Sequence, residues 1–389
     1  MTAITTRAGK GSALTNAELD ANFTNLNAGK AELAGLATQD FAAKNMAVSS
    51  VNGGQLAGTR RRNLNGDCSI AQAGTSFPAV ANLAWTLDGY RWEQNSGAVL
   101  TLEQALDAPA DNEFQFSLRT TVTTASAAPT AVQYAMVCVF IEGYDVRDFI
   151  GKPFTISFWV RSAKTGVHCL SLRNSGYDRT YVAEYTVNAV NTWEKKTITI
   201  ASGLITAGTW DWTSGSGLRL HFMLAAGAIY QTSAGAWQVG SNLLATVNQV
   251  NCLDTVGNIF AITGLQVEPG SVGTQFEHGT YQSELAFGQR YYRSNRNATG
   301  VCRAADVMAF IEGFDAPMRA APSIVLKTTT PYVESPIFFS SFSGSGSAIT
   351  ATHTSVYGCD VQINGFTGLT TGAHCLFAKD QVSYSARLP

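Results

Sequence analysis

Charge is scarce in this chain. Of its 389 residues, 14% are charged, against roughly 25% in ordinary soluble proteins. The formal net charge is −2, so neither a nucleic-acid footprint nor a polybasic membrane patch is expected. No apolar run is long enough for a bilayer-spanning helix, so no membrane insertion is expected. The opening residues, MTAITTRAGKGSALTN, contain no apolar stretch of the kind a secretory signal needs. There are seven cysteines, an odd number, and none are in CxxC spacing. The expectation is seven buried or half-buried thiols in a protein made in a reducing cytoplasm. Proline is modest at 10 residues.

Glycine, at 36 residues, is plentiful. Much of the chain alternates Thr, Ser and Ala with Val, Ile, Phe and Tyr. Short strands joined by tight turns, in a sandwich or barrel, are the architecture this implies. Near the N-terminus, Thr15 and Glu18 stand at capping-box spacing. Leu19, Phe23, Leu26 and Leu33 then follow heptad-like steps, with Lys30 in the missing place and Ala37 as a weak continuation. One amphipathic helix packed on its own domain gives the same pattern. Gly53-Gly54 and Arg60-Arg61-Arg62 mark a linker, and the isolated basic triplet reads as a solvated hinge. From Asn65-Gly66, a turn signal, strands are expected at Ala98–Leu102, Phe114–Val122, Val132–Ile141, Phe154–Arg161, His168–Arg173, Tyr181–Val187, Glu194–Ile200, Leu218–Ala225 and Ile259–Val267. Nine or ten strands without a long helix predict a two-sheet jelly roll. Pro269-Gly270-Ser271 is a turn. A second extended segment is expected beyond it, carrying Phe276, Tyr281, Tyr291 and Tyr292.

The stretch Ile262–Tyr292, ITGLQVEPGSVGTQFEHGTYQSELAFGQRYY, closely resembles a junction in bacteriophage tail-fibre proteins. There a sandwich ends in an ITG…FEH strand and a QRYY segment opens a small tip domain. TTRAGKGSALTNAELDANFTNLN resembles the segment that joins such fibres to the particle. IEGYDVRDFIGKPFTISFWVRS and GSGLRLHFMLAAGAIY resemble the carbohydrate-binding-module-like jelly roll of these fibres, and PMRAAP resembles a tip motif. After about Val325 the resemblance fades.

The expected fold class is therefore mainly β in three parts. Residues 1–62 form a helical or extended segment for virion attachment and trimerisation. Residues 63–280 form a carbohydrate-binding-like β-sandwich, and 281–389 a small C-terminal β tip. The resemblance implies a homotrimer in the virion's tail fibre, made in the host cytoplasm. Its expected partners are a tail or baseplate protein at the N-terminus and host polysaccharide or lipopolysaccharide. Alternatives are a fibre-borne polysaccharide depolymerase and a purely structural collar, baseplate or head fibre.

Two clusters could hold sugar. Trp210-Asp211-Trp212 would place both indoles on one side of an extended segment, with Asp211 accepting from hydroxyls. The competing reading is a core or edge pair, with Trp212 the more open of the two. Tyr177, Arg179 and Tyr181 lie in a YDRTY run combining aromatic, acidic and basic groups. Its competing reading is a structural Asp178–Arg179 turn over a packed Tyr181. His168-Cys169 and His374-Cys375 are strand neighbours that point to opposite faces, so neither pair can easily chelate one ion. No metal, no cofactor, no catalytic constellation and no enzymatic activity are expected.

Overall fold

A computed structural model describes residues 6, 10–33, 59–110, 113–335, 340–344 and 348–389. Contacts divide the chain into two compact units, Met1–Ser49 and Ser50–Pro389. In the first, helix α1 spans Asn16–Leu33. Thr15 and Glu18 cap it reciprocally. The Glu18 carboxylate accepts from the Thr15 N–H at 2.7 Å, and Thr15 Oγ1 accepts from the Glu18 N–H at 3.3 Å. That is the capping box the sequence predicts. Leu19 is 41% and Phe23 70% exposed, so an apolar pair one turn apart faces outward within this unit. The side chains of Leu26, Lys30 and Leu33 lie outside the described residues, as do Ala37 and the Gly53-Gly54 linker.

The second unit opens with a two-sheet sandwich. One sheet runs in the order β1 (Ser76–Phe77), β3 (Val99–Ala105), β4 (Ser117–Thr124), β12 (Ile259–Pro269), β6 (Phe154–Ser162) and β9 (Glu194–Ile200). The other runs β11 (Trp237–Val239), β8 (Arg179–Val187), β7 (Gly166–Arg173), β10 (Ser216–Ala226), β5 (Tyr134–Glu142) and β2 (Tyr90–Gln94). All pairings in these two sheets are antiparallel. The period-2 alternation of each strand turns one residue set inward. Leu218, Leu220 and Phe222 of β10 face Ile156 and Phe158 of β6 in one shared core. Phe158 meets Phe222 edge-on at 5.0 Å across the sheets. Each such ring contributes about 1.5–3 kcal/mol by leaving water.

Three strands of the sandwich, β1, β2 and β11, are short or charged and lie outside the strands that alternation predicts. β1 and β11 are too short to carry a pattern. In β2, Tyr90 and Trp92 turn inward while Arg91 and Glu93 interleave as a charged outer face. The expected extended segment after the PGS turn is instead helix α2, Tyr281–Gln289. Thr280 caps it, its hydroxyl accepting from the Ser283 N–H at 3.2 Å. Strong helix formers in QSELAFGQ outweigh the aromatic spacing there.

The arginine triplet is not a solvated hinge. Arg60 reaches Glu268 at 3.1 Å, Arg62 reaches Asp148 at 2.6 Å, and buried Arg61 pairs with Glu284. The chain entering the sandwich is pinned against the end of β12 and against α2, which desolvates the triplet.

Beyond α2 lie a three-stranded and a seven-stranded sheet. The first is ordered β13 (Tyr292–Ser294), β22 (Val382–Ser385), β16 (Ser323–Leu326). The second is ordered β18 (Ser340–Ser343), β17 (Tyr332–Ser335), β21 (His374–Phe377), β14 (Ala298–Ala304), β15 (Val307–Gly313), β20 (Gly358–Asn364), β19 (Ile349–Ser355). They share their own core around Phe310, Phe377 and Tyr384. This block is tied back to the sandwich. Arg290 and Tyr291 bond Glu142, at 2.7 and 2.6 Å, and Arg319 donates to the Ser214 carbonyl at 3.1 Å. All seven cysteines are buried and none is in a disulfide. The fold is mainly β, as the composition predicts.

Candidate functional site

The loop before β10 carries Trp210, Asp211 and Trp212. It is held in place because Gly143, at the start of the 3-10 turn Gly143–Phe149, lies flush against it. Gly143 N–H donates to the Gly215 carbonyl at 3.0 Å and Tyr144 N–H to Thr213 at 2.9 Å. The two indoles stack with centroids 5.0 Å apart and planes 12° from parallel. Both therefore point one way, as an extended segment requires. Trp237 of β11 meets Trp210 edge-on at 5.6 Å, and Tyr181 of β8 meets Trp237 at 5.6 Å. Trp237 lies directly across from Tyr181 in the β8–β11 register.

These four rings form a half-buried band that packs against the rim of the sandwich core. Trp210 donates its indole N–H to the Ala207 carbonyl at 2.9 Å, and Trp237 donates to Gly203 at 2.8 Å. Among the described residues, the Trp212 indole N–H has no such acceptor.

The remaining candidates are placed less simply. The Asp211 carboxylate accepts from the Thr213 N–H and hydroxyl, both at 2.7 Å. Those bonds, the hydroxyl's first, hold its pKa below the ordinary value. Asp211 therefore shapes the Trp loop. Asp178 accepts from Asn174 and from the Thr209 N–H at 3.1 Å, linking the YDRTY turn to the Trp loop. Arg179 donates to the Asp178 carbonyl at 2.7 Å. Tyr177 turns away from the tryptophan band. It adopts a left-handed φ of 57° and covers two arginines, with Arg173 at 4.3 Å and Arg219 at 4.1 Å from its ring centroid. The structure thus joins Trp210, Trp212 and Tyr181, and sets Tyr177 on the opposite face of the same sheet.

Trp237, Arg173 and Arg219 are the residues sequence reasoning missed. Trp237 stands alone in a three-residue strand. The two arginines sit at ordinary alternating positions in LSLR and GLRLHF, where the pattern gives only an outer face.

A separate cavity of about 500 Å³ lies between the sandwich and the C-terminal block. Trp85, Tyr144, Phe287 and Tyr291 supply rings to its wall, and Asp88, Glu142, Asp145 and Arg387 supply charge. Burial, then the neighbouring Glu142, raises the Asp145 pKa. Burial likewise raises that of Asp88. Arg387 lies over the Tyr292 ring at 3.9 Å. Among the described residues no group of three or more His, Cys, Asp or Glu could hold a metal ion, and no helix is long and apolar enough to cross a membrane.

No protein-family model matches the chain, and no curated protein matches it. Among solved structures it is similar to the enzymatically active domain of bacteriophage CBA120 tailspike protein 4. Identity is 15% and the TM-score 0.30, over 49% of this chain and 21% of that one. It is also similar to a family 11 carbohydrate-binding module from Clostridium thermocellum, solved with a β-1,3-1,4-mixed-linked tetrasaccharide. There identity is 12% and the TM-score 0.27, over 52% of this chain and 97% of that one. A putative sugar-binding protein from Bacteroides thetaiotaomicron is similar at 9% identity and a TM-score of 0.29, over 54% of this chain and 100% of that one.

Proposed function

We propose that this chain is an adhesive subunit of a bacteriophage tail fibre that binds polysaccharide or lipopolysaccharide on the host surface. The observation that carries the reading is the stacked, half-exposed Trp210–Trp212 pair, with the Trp212 N–H still available. Sugars lay C–H faces on such rings, and an indole edge donates to hydroxyls. The tail-fibre motifs in the sequence supply the setting. In that setting 1–62 attaches to the tail or baseplate and assembles three copies, and the exposed Leu19 and Phe23 supply an apolar stripe for helix pairing. Millimolar contacts, repeated over three copies and several fibres, would gain orders of magnitude in avidity.

The test is retention of the full chain on immobilised host polysaccharide, with Trp212→Ala beside it. Loss of one stacking platform should weaken each contact about 2- to 12-fold. Equal retention of the variant would remove the tryptophan band from the mechanism, and a monomeric mass in solution would remove the trimer.

A polysaccharide depolymerase is the second reading, favoured by the cavity's Asp88, Glu142 and Asp145. A carboxyl with a raised pKa is suited to general-acid work. Release of reducing ends from host polysaccharide, abolished by Asp145→Asn, would establish it.

A further inference from the structure

The outer face of the second sheet carries an excess of buried positive charge. Arg219 of β10 and Arg173 of β7 are directly opposite each other in the strand register. Like charges in that position repel. Both are also withdrawn from water, Arg173 being 7% and Arg219 3% exposed. Arg91 of β2 adds a third guanidinium on the same face, its centre 4.5 Å from the Phe140 ring that Arg219 also approaches, at 5.3 Å.

The protein supplies little to balance them. Glu93 is engaged by Arg91, whose Nε donates to Oε1 at 2.8 Å, and it acts on Arg173 and Arg219 as a nearby charge without a hydrogen bond to either. Glu142, at the end of β5, is taken by Arg290 and Tyr291. Glu184 of β8 is taken by Thr246 and Asn248. His221, two residues further along β10 on the same face, has its pKa lowered well below the ordinary value by burial and then by the arginines. Among the described residues the Arg173 guanidinium has no hydrogen bond and no ion pair, and its Nε is buried. Arg219 donates through Nε to Ser216 Oγ at 3.1 Å, and its Nη1 is buried without a partner. Burial, then for Arg219 the neighbouring arginines, lowers both pKa values to about 10. The Tyr177 ring offsets part of this through its π face. It offers no acceptor for the forked N–H groups.

A buried cation without a partner is costly, and here two are set side by side. Planar, two-oxygen anions match guanidinium forks. The turn that carries Tyr177 is tied to the tryptophan loop, the Thr209 N–H and hydroxyl donating to Asp178 at 3.1 and 3.2 Å, so the two sites lie on opposite faces of the sheet at the same edge. We propose that Arg173 and Arg219, beside Tyr177, form a subsite for the carboxylate of an acidic sugar in the bound polysaccharide. This deepens the carbohydrate-binding reading and rests on it.

The experiment is calorimetric titration of the full chain, at fixed ionic strength, with sodium glucuronate, glucose and inorganic phosphate. Glucuronate should bind saturably and glucose should not. Arg173→Met and Arg219→Met should each weaken glucuronate about 10- to 100-fold. Arg173→Lys, which keeps the charge and loses the fork, should fall between. Glucuronate should raise the unfolding temperature of the wild type and not that of Arg173→Met, a readout that separates lost binding from lost folding. No glucuronate binding, or unchanged binding by Arg173→Met, overturns the proposal. Phosphate binding tighter than glucuronate, with acidic polysaccharide not retained, overturns the sugar assignment in favour of a free anion. Retention of neutral polysaccharide that depends on Trp212 while glucuronate fails to bind would leave the general reading standing without this subsite.

Discussion

Replacing Gly143 with alanine isolates the packing that holds the tryptophan loop. A Cβ at Gly143 would stand 2.2 Å from the Asp211 carbonyl oxygen and 2.6 Å from the Thr213 nitrogen. Both neighbours are backbone, so no flexible side chain can swing away. The φ of Gly143 is not in the left-handed region, so the backbone itself would accept alanine and would even gain about 0.4–1 kcal/mol from a stiffer unfolded chain. The clash must therefore be relieved by moving residues 211–213. Overpacking of this kind costs about 1–3 kcal/mol. For a domain of the sandwich's size that corresponds to a fall of roughly 2–12 °C in Tm. The displaced loop carries Trp210 and Trp212, so their stacking should change with it. The assay is a thermal melt with near-ultraviolet circular dichroism, where a stacked indole pair gives a coupled signal, followed by polysaccharide retention. Gly143→Ala should lower Tm, weaken the coupled signal and reduce retention. A variant with wild-type or higher Tm and an unchanged indole signal would refute the idea that this contact positions the site.

Three further outcomes are expected. Arg290→Ala strands the buried Glu142 carboxylate with Tyr291 alone. It should cost about 2–4 kcal/mol in denaturant unfolding, less than a fully buried pair because the Arg290 side chain is 35% exposed; a change under about 0.5 kcal/mol would contradict this account. All seven thiols are buried, and burial raises those of Cys68 and Cys252 to about 12. A thiol reagent should therefore label none in the native protein and seven after unfolding, and rapid native labelling would show an opening the fold does not contain. For Glu194, burial raises the pKa, but hydrogen bonds from Lys196, the Ala189 N–H and Asn188 outweigh it and bring it to about 2. A carboxyl with a depressed folded pKa stabilises above its unfolded value of 4.5 and loses that contribution as pH falls toward 2. The urea midpoint should hold steady from about pH 7 to 5 and decline below 4.5, with part of the decline absent in Glu194→Gln. A flat midpoint down to pH 2 would contradict it.

The sequence by itself determined the class of fold, because alternation decides which residues of a strand can share a core. It also determined the capping box of α1, the turn at Asn65-Gly66 and the like direction of Trp210 and Trp212. Each depends on residues a few positions apart. It could not show helix α2, where aromatic spacing pointed to a strand and the Thr280 cap with local helix propensity prevailed. It read Arg60-Arg61-Arg62 as solvated because their partners, Glu268, Glu284 and Asp148, are distant in the chain. Only tertiary structure set Trp237 beside Trp210, sent Tyr177 to the opposite face from Tyr181, and put Arg173 across from Arg219. Strand register and loop closure make these juxtapositions between segments tens of residues apart. A one-residue slip in any of the pairings would exchange the faces, and no local pattern records which pairing is made.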